Sequence, residues 1–321
     1  MQFFLIFALL MLFFQVQLGE AQSVDSEHGI TPLQQPSDLD AGKVALGKQL
    51  FTETRLSKDG SISCAHCHLL EAGGADGLKF SFGVNGAEGK INTPTVYNAG
   101  LNRAQFWDGR AETLEEQIDG PIHNPLEMAS NWPHIVSELQ ADAVYRKLFT
   151  ILYGEAGLTA NHVKDAIAEF ERSLVSVKSP FDRYLQGDDD AITAEAKQGY
   201  QLFSSYGCIS CHQGANVGGN LFQKFGIFGD YFKDRGNITA ADRGRQAVTG
   251  RARDLHRFKV PSLRLVSMTP PYFHDGSANT LPEAIRVMAK YQLGRTIADE
   301  DIALIVAFLS SLAGEMVEST Q

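Results

Sequence analysis

The sequence has no low-complexity tract and no spare cysteine, and after its first residues it has no apolar run long enough to cross a membrane. Its 321 residues, 44% of them hydrophobic, exclude a mainly disordered chain and suffice for one large domain or two ordinary ones. An excess of basic over acidic residues is also lacking. A net charge of -10 argues against nucleic-acid binding and allows, at most, electrostatic attraction to basic partners.

The N-terminus predicts export. An apolar run from Phe3 to Phe14 precedes Gly19 and Ala21, which supply the small residues of a cleavage site. We therefore predict a signal peptide at residues 1–21, cleaved after Ala21. The alternative is an uncleaved anchor, because the first residues lack Lys and Arg, but the run is short for a membrane span.

All four cysteines fall in two C-x-x-C-H motifs. The first motif contains Cys64, Cys67 and His68, and the second motif contains Cys208, Cys211 and His212. Two thioethers in such a motif attach a haem covalently, and the following histidine is placed to coordinate its iron. A zinc ribbon is the alternative, but its cysteine pairs lie about 15 to 20 residues apart, much closer than these. A thioredoxin-like pair or two local disulfides would not require the histidines. The motifs predict two c-type haems.

Helical patterns dominate the rest of the chain. Apolar residues at helical spacing from Val163 to Leu174 predict an amphipathic helix that continues toward Tyr184. Convincing alternating strands are absent. We expect a mainly α fold.

Two further helices are predicted near the C-terminus. The residues Thr280 and Glu283 form a capping-box pattern, which predicts a helix over residues 284–293. A Thr296-x-x-Asp299 start signal precedes a second periodic stretch that ends at Leu312.

A weak internal repeat suggests the domain organisation. The stretch "GKQLFTETRLSKDGSISCAHCH" is echoed by "GYQLFSSYGCISCH", each a helix followed by a haem motif. We predict two cytochrome-c-like haem domains, at residues 39–186 and 187–313. The last helix of the second domain is a candidate to pack on the first. A polar linker at 22–38 precedes them, and residues 314–321 form a tail.

A haem domain that only carries electrons needs a second strong axial ligand, and a methionine thioether raises the potential of the iron. Met288 lies on the predicted helix "LPEAIRVMAKYQLG", and Met268 lies in "SMTPPYFHDG". A core or loop role is the better interpretation of Met268. Spacing alone leaves both methionines open.

Three long stretches lie between and after the motifs: "INTPTVYNAG", "QFWDGRAETLEEQIDGPIHNPLEM" and "KVPSLRLVSMTPPYFHDGSANTLPEAIRVMAKYQLG". Taken singly, Trp107 would be a core aromatic and Glu127 a solvated carboxylate. Together the stretches resemble the bacterial di-haem cytochrome c peroxidases, from about Leu39 to Leu312. The resemblance implies reduction of hydrogen peroxide to water in the periplasm, with a cytochrome c or a small copper protein as electron donor.

The resemblance implies a different task for each haem. The haem attached through the first motif, on His68, is the peroxidatic one. The haem attached through the second motif, on His212, receives electrons, and the family's second ligand to that iron falls on Met288. Trp107 matches a tryptophan that lies between the two haems.

The resemblance also implies a catalytic pocket and a cation site. Glu127 matches the acid/base above the peroxidatic iron, and Gln117 matches another pocket residue. A carboxylate can move a proton from one peroxide oxygen to the other before the bond between them breaks. Asn92 and the backbone carbonyls of Thr269 and Pro271 match a calcium site between the domains, and oxygen ligands suit calcium.

One position departs from the family pattern. Many members carry, in the glycine-rich loop after the first motif, a histidine that caps the peroxidatic iron in the fully oxidised enzyme. Val84 falls there, and no histidine occurs between His68 and His123. We expect the His68 haem to be five-coordinate or water-bound when both irons are ferric. The alternative is that His123 or another distant group provides the cap.

Two other functions remain open. A non-catalytic di-haem electron carrier would have both irons closed by strong ligands and no use for Glu127. A protein-tryptophan-oxidising maturation enzyme of the same superfamily resembles the chain around both motifs but carries tyrosine where this sequence has Met288. The family is commonly dimeric, so we expect a homodimer.

Overall fold

The computed structural model describes residues 29–318, in which helices outnumber strands. The α-helices are α1 Ala41–Phe51, α2 Cys64–Cys67, α3 Leu114–His123, α4 Trp132–Ala141, α5 Ala143–Tyr153, α6 Ala160–Ser173, α7 Pro180–Leu185, α8 Ala194–Ser205, α9 Tyr231–Arg235, α10 Gln246–Thr249, α11 Leu281–Gln292 and α12 Asp299–Ser311. The strands are β1 Leu174–Val177, β2 Phe222–Lys224, β3 Arg257–Lys259 and β4 Glu315–Glu318. The mainly α prediction is confirmed for this range.

Two hydrophobic cores each contain one closely packed helix pair, α1 with α6 and α8 with α12. A glycine in the repeated sequence allows the close approach in both pairs. The first core is built on α1, α3, α4, α5 and α6, and the second core on α7, α8, α11 and α12. A Cβ on Gly47 of α1 would lie 1.9 Å from the Ala166 carbonyl oxygen of α6. A Cβ on Gly199 of α8 would lie 1.9 Å from the Leu304 carbonyl oxygen of α12. The two echoed "G-x-Q-L-F" stretches therefore make the same close helix contact, once in each core.

The helix predicted to continue toward Tyr184 ends at Ser173, so that prediction was wrong. The next four residues form β1, whose side chains are all buried, and β1 pairs antiparallel with β4. Val175 and Val177 are β-branched and suit a strand, and Pro180 then starts α7 afresh. Part of the predicted tail is therefore a strand that returns to β1.

The two C-terminal helices agree with the sequence patterns except at one boundary. Thr280 and Glu283 form the predicted capping box at the start of α11. The residue that caps α12 is Ala298, which makes no side-chain hydrogen bond, so the Thr296 start signal was wrong. The helix α12 packs on α8 in the second core.

Part of the predicted linker is packed against the second core. The Gly29 carbonyl oxygen accepts a hydrogen bond from the Gly214 N–H at 2.8 Å, two residues after the second motif, and Ile30 and Leu33 are buried. The folded part thus begins before Leu39. The predicted signal peptide lies outside the described residues. Within residues 29–318, no helix combines the length and apolar character of a membrane span.

Candidate functional site

The first motif presents His68 as a neutral ligand. The short helix α2 carries the two cysteines, and the His68 N–H closes its last turn on the Cys64 carbonyl oxygen at 3.0 Å. The His68 Nδ1 lies 3.1 Å from the Gly74 carbonyl oxygen, so Nδ1 is the nitrogen that carries the proton. Burial lowers the pKa of His68, which keeps the ring neutral. The remaining nitrogen, Nε2, is then available to a metal.

The second motif repeats this arrangement around His212. The His212 N–H donates to the Cys208 carbonyl oxygen at 3.1 Å. Burial lowers the pKa of His212 to about 4, so this ring is also neutral. Its Nδ1 makes no hydrogen bond of accepted geometry in the described part of the chain, but the backbone carbonyls of Val217 and Pro261 lie close enough to oppose the lowering of the pKa. Nδ1 therefore faces backbone carbonyls, and Nε2 is the nitrogen available to an iron.

The two motifs do not form a joint zinc site. Cys64 packs against the cluster of Phe51 and Phe170, whereas Cys208 packs on the second core. None of the four cysteines forms a disulfide, and burial raises the pKa of Cys64 to about 12 and that of Cys208 to about 11. Zinc requires converging thiolates. Separate pairs of cysteines, each followed by a neutral histidine, fit two covalent haems.

The two candidate methionines lie in different environments. Met288, on α11, is half-buried and packs on an aromatic cluster that includes Phe232, Phe258 and Tyr291. Met268 ends a short 3₁₀ helix and is 40% exposed. A thioether that ligates an iron must be shielded within a pocket, so these environments favour Met288.

Trp107 bridges the two halves of the structure. Its indole N–H donates to the Asn92 carbonyl oxygen at 3.0 Å, while its ring packs on the aromatic cluster that holds Met288. Its own carbonyl oxygen accepts the Lys259 N–H at 2.9 Å. Trp107 is thereby fixed between the segment that follows the first motif and the cluster beside the second core.

Glu127 lies on the turn that follows α3, the helix that carries the half-buried Gln117. The Asn124 side-chain amide donates to Glu127 Oε1 at 2.6 Å and fixes the orientation of the carboxyl group. Burial raises the pKa of Glu127, against the opposing effects of Asn124 and the charge of Arg110. Burial also raises the pKa of Cys67 to about 11, and the negative charge of Glu127 adds to that shift. The Glu127 carboxyl group is therefore close enough to the first motif to act on it electrostatically.

The loop that contains Val84 is fastened directly to the Glu127 turn. The Val84 N–H donates to the Glu127 carbonyl oxygen at 2.8 Å, and the Val84 side chain, 3% exposed, belongs to the first core. A Cβ on Gly83 would lie 2.4 Å from the same carbonyl oxygen, so this approach requires glycine. His123, the alternative cap, is exposed at the end of α3.

The segments that carry the predicted calcium ligands meet in the structure. Asn92 is buried, its N–H donates to the His274 carbonyl oxygen at 2.9 Å, and its side-chain amide donates to the Leu78 carbonyl oxygen at 2.9 Å. The Thr269 and Pro271 carbonyls belong to the segment that leads to His274. Because the amide nitrogen of Asn92 is engaged, its amide oxygen is the atom that suits a cation.

The sequence patterns missed a buried polar network beside Trp107. His274 Nε2 lies 2.7 Å from Asp242 Oδ1, and Arg235 donates to Asp242 and Asp275. In the described range Asp242, His274 and Asp275 are the one group of His, Cys, Asp or Glu residues that could share a metal ion. The Arg235 guanidinium already satisfies both carboxylates. No spacing signal connects residues so far apart in the sequence.

The sequence and the fold are similar to those of known di-haem peroxidases. The family model described as "Di-haem cytochrome c peroxidase" matches residues 41–190. Cytochrome c peroxidase Ccp of Escherichia coli is 49% identical over 89% of this chain, which spans only 61% of that protein. Cytochrome c551 peroxidase of Nitrosomonas europaea is 42% identical over 96% of this chain and 91% of its own. A MauG-like protein associated with microbial copper homeostasis has a TM-score of 0.77 and 28% identity over 88% of this chain and 93% of its own.

Proposed function

The chain belongs to the di-haem cytochrome c peroxidase family, and we propose that it reduces hydrogen peroxide to water with electrons from a small redox protein. The observation that carries this proposal is the half-buried Glu127 carboxyl group, held by Asn124 and close enough to the first motif for its charge to act on Cys67. A non-catalytic electron carrier would have no use for such a group. The family implies two c-type haems as cofactors.

The residues of the two motifs fit two haems. When bound, the haem of the first motif would supply the iron that reduces peroxide, and the haem of the second motif would supply the centre that accepts electrons. We propose that His68 and His212 are iron ligands through a neutral ring nitrogen. The four cysteines hold the haems by thioether bonds. Met288 contributes the second ligand in the second half of the protein, where its half-buried position supports this role.

The protein's own contribution to peroxide cleavage is a proton transfer by Glu127. Its carboxylate takes the proton from one oxygen of peroxide and returns it to the other, so that water can leave. The raised pKa favours this exchange, because a carboxyl group with a pKa nearer the working pH both accepts and donates readily. Asn124 keeps Oε1 in place, and Gln117 lies on the neighbouring helix as a further polar group of the pocket.

Trp107 supports electron transfer between the two halves. Its fixed position, with the indole N–H on Asn92 and the ring on the Met288 cluster, is the packing that a short electron path requires. The donor is a cytochrome c or a small copper protein.

Steady-state peroxide consumption by the purified, haem-loaded protein tests the proposed function. The donors are a reduced basic cytochrome c and a reduced small copper protein, assayed separately. We expect peroxide-dependent oxidation of at least one of them. A protein that exchanges electrons with the donors but leaves peroxide unconsumed is a carrier.

We also propose the cellular form of the protein. The mature chain begins after Ala21, acts in the periplasm and forms a homodimer with two haem domains, at residues 39–186 and 187–313. N-terminal sequencing of the periplasmic fraction and light scattering of the purified protein test these statements.

Replacement of Met288 by histidine tests the ligand assignment. We expect Met288→His to lower the potential of the His212 haem and to slow electron entry, because imidazole stabilises ferric iron better than a thioether does. The absorption band of thioether-ligated iron and a spectroelectrochemical titration provide the measurements. Met268→Leu is the matched control and leaves the band unchanged. Loss of the band in the control instead would assign the ligand to Met268.

Calcium removal tests the proposed cation site at Asn92, Thr269 and Pro271. We expect elemental analysis to find calcium in the purified protein and Asn92→Ala to lose it. Peroxide turnover then falls, because the cation and the Asn92 side-chain bond to Leu78 fix the segment whose backbone carbonyl oxygen holds Trp107. Asn161→Ala, at an exposed position on α6, is the control that retains calcium. Retention of calcium by Asn92→Ala would refute the site.

A further inference from the structure

Lys259 occupies a position between Trp107 and the second motif. It is the last residue of β3, pairs with Phe222 of β2, and donates its backbone N–H to the Trp107 carbonyl oxygen at 2.9 Å. Its neighbour Phe258 packs in the aromatic cluster with Met288. Because side chains alternate along a strand, Lys259 points to the opposite face of β3.

The chain continues from Lys259 directly into the segment that packs beside the second motif. The Gly219 N–H donates to the Val260 carbonyl oxygen at 2.8 Å, and the Leu263 N–H donates to the Val217 carbonyl oxygen at 3.1 Å. Residues 217–219 belong to the loop that follows His212. Lys259 therefore lies on the connection between the bridging tryptophan and the loop of the second motif.

No described residue supplies a countercharge to the Lys259 ammonium group. Burial alone lowers the pKa of Lys259, to about 8, and no acidic neighbour opposes that shift. Two other shielded cations have partners: the buried Arg264 is paired with Asp182, and the half-buried Arg235 with Asp242. The Lys259 side chain is half-buried, and a charge that the protein desolvates without pairing it is costly, so a group that the polypeptide does not provide is favoured here.

A covalently attached haem brings the missing anion. The motif cysteines bond to its vinyl groups, and its two propionates remain as free carboxylates. A lysine ammonium forms charge-assisted hydrogen bonds with a carboxylate, and a water-poor environment strengthens them. Chloride or phosphate would satisfy the charge only transiently, whereas a propionate is fixed by the thioether bonds.

We propose that Lys259 binds a haem propionate at the junction of Trp107 and the second motif, and so holds the haem against the inter-haem tryptophan. This inference rests on the two covalent haems of the proposed function, but it does not require peroxidase activity. The positive charge also stabilises the reduced state of the neighbouring iron, because the ion pair offsets the negative propionate. Lys259 is thus a positioning residue that tunes one potential.

Replacement of the charge tests this pairing in the haem-loaded protein. We expect Lys259→Met to shift the midpoint potential of one haem to a more negative value, and Lys259→Arg to retain the wild-type potential. The propionate belongs to the haem whose midpoint potential shifts, and the absorption spectrum shows whether this is the thioether-ligated haem or the other one. Lys224→Met, at an exposed position on the adjacent strand β2, is the matched control and leaves both potentials unchanged. Unchanged potentials in loaded Lys259→Met would overturn the proposal.

A measurement on the native protein covers the case in which Lys259→Met does not fold. Competitive acylation as a function of pH, read by mass spectrometry, gives the pKa of individual lysines. A paired Lys259 reacts with a pKa at or above the usual value of about 10.4, and more slowly than Lys224. A Lys259 that titrates near 8, as expected for the unpaired side chain, would refute the ion pair. Both measurements are independent of peroxide turnover, which is assayed separately in the wild type.

Discussion

Glu127→Gln keeps both haems but lowers peroxide turnover by about 10²- to 10⁴-fold, the usual loss when a general acid/base is removed. The amide has nearly the shape of the carboxyl group and can still contact Asn124, but it cannot accept and return a proton. Absorption spectra establish haem content, and steady-state kinetics with a saturating donor give the rate. The effect is expected mainly in the peroxide-dependent step.

The pH dependence of the same reaction distinguishes proton transfer from a structural role. Because burial raises the pKa of Glu127, the carboxylate is lost as the pH falls through a value above the usual 4.5. Activity of the wild type should therefore decline on the acid side in that region. Glu127→Gln lacks this acid limb, whereas Glu138→Gln, at an exposed position on α4, retains the wild-type rate and profile. An unchanged rate in Glu127→Gln would move catalysis elsewhere, with His123 as the next candidate.

Local patterns predicted the elements whose cause is local. The Thr280 and Glu283 capping box acts within one turn, and the structure reproduces it. The repeated "G-x-Q-L-F" stretch was visible in the sequence, but its reason was not. Only the packed helices show that Gly47 and Gly199 each permit a carbonyl of another helix to approach.

Features that depend on distant segments escaped the same patterns. The periodicity through Leu174 is compatible with a helix, and only pairing with β4, nearly half the described chain away, selects a strand. Tertiary pairing overrides local propensity in this case. The packing of residues 29–33 on the second core has the same origin, since nothing in that polar stretch signals its partners.

The residues of the candidate site also fall into two groups, those that a local motif predicts and those that only the folded structure reveals. The haem-attachment residues follow from contiguous motifs, because the thioethers and the histidine act on one small group. The second ligand does not, and spacing left Met268 and Met288 open until their environments could be compared. Lys259 and the Asp242–His274 pair carry no sequence signal at all, because their chemistry arises from burial and from residues far along the chain.

The oxidised protein is expected to react with peroxide without prior reduction of the second haem. A valine cannot ligate iron, and the structure adds a reason why this loop stays in place. Val84 is buried in the first core, and its N–H is bonded to the carbonyl oxygen of Glu127. The loop thus holds the Glu127 turn rather than covering the site. Electron paramagnetic resonance of the fully oxidised protein should show one high-spin and one low-spin ferric haem.

Val84→His should restore a gate, whereas Val84→Ala should not. An imidazole buried among apolar side chains is unfavourable, so the histidine variant favours a loop that leaves the core and brings the ring to the iron. That movement breaks the bond to the Glu127 carbonyl oxygen, so capping and displacement of the Glu127 turn occur together. We expect the high-spin signal to convert, at least in part, to low spin and peroxide reactivity to require reduction. Val84→Ala loosens the same loop without supplying a ligand and stays high-spin. Two low-spin signals in the wild type, or an obligatory reduction step before peroxide binds, would refute an ungated site.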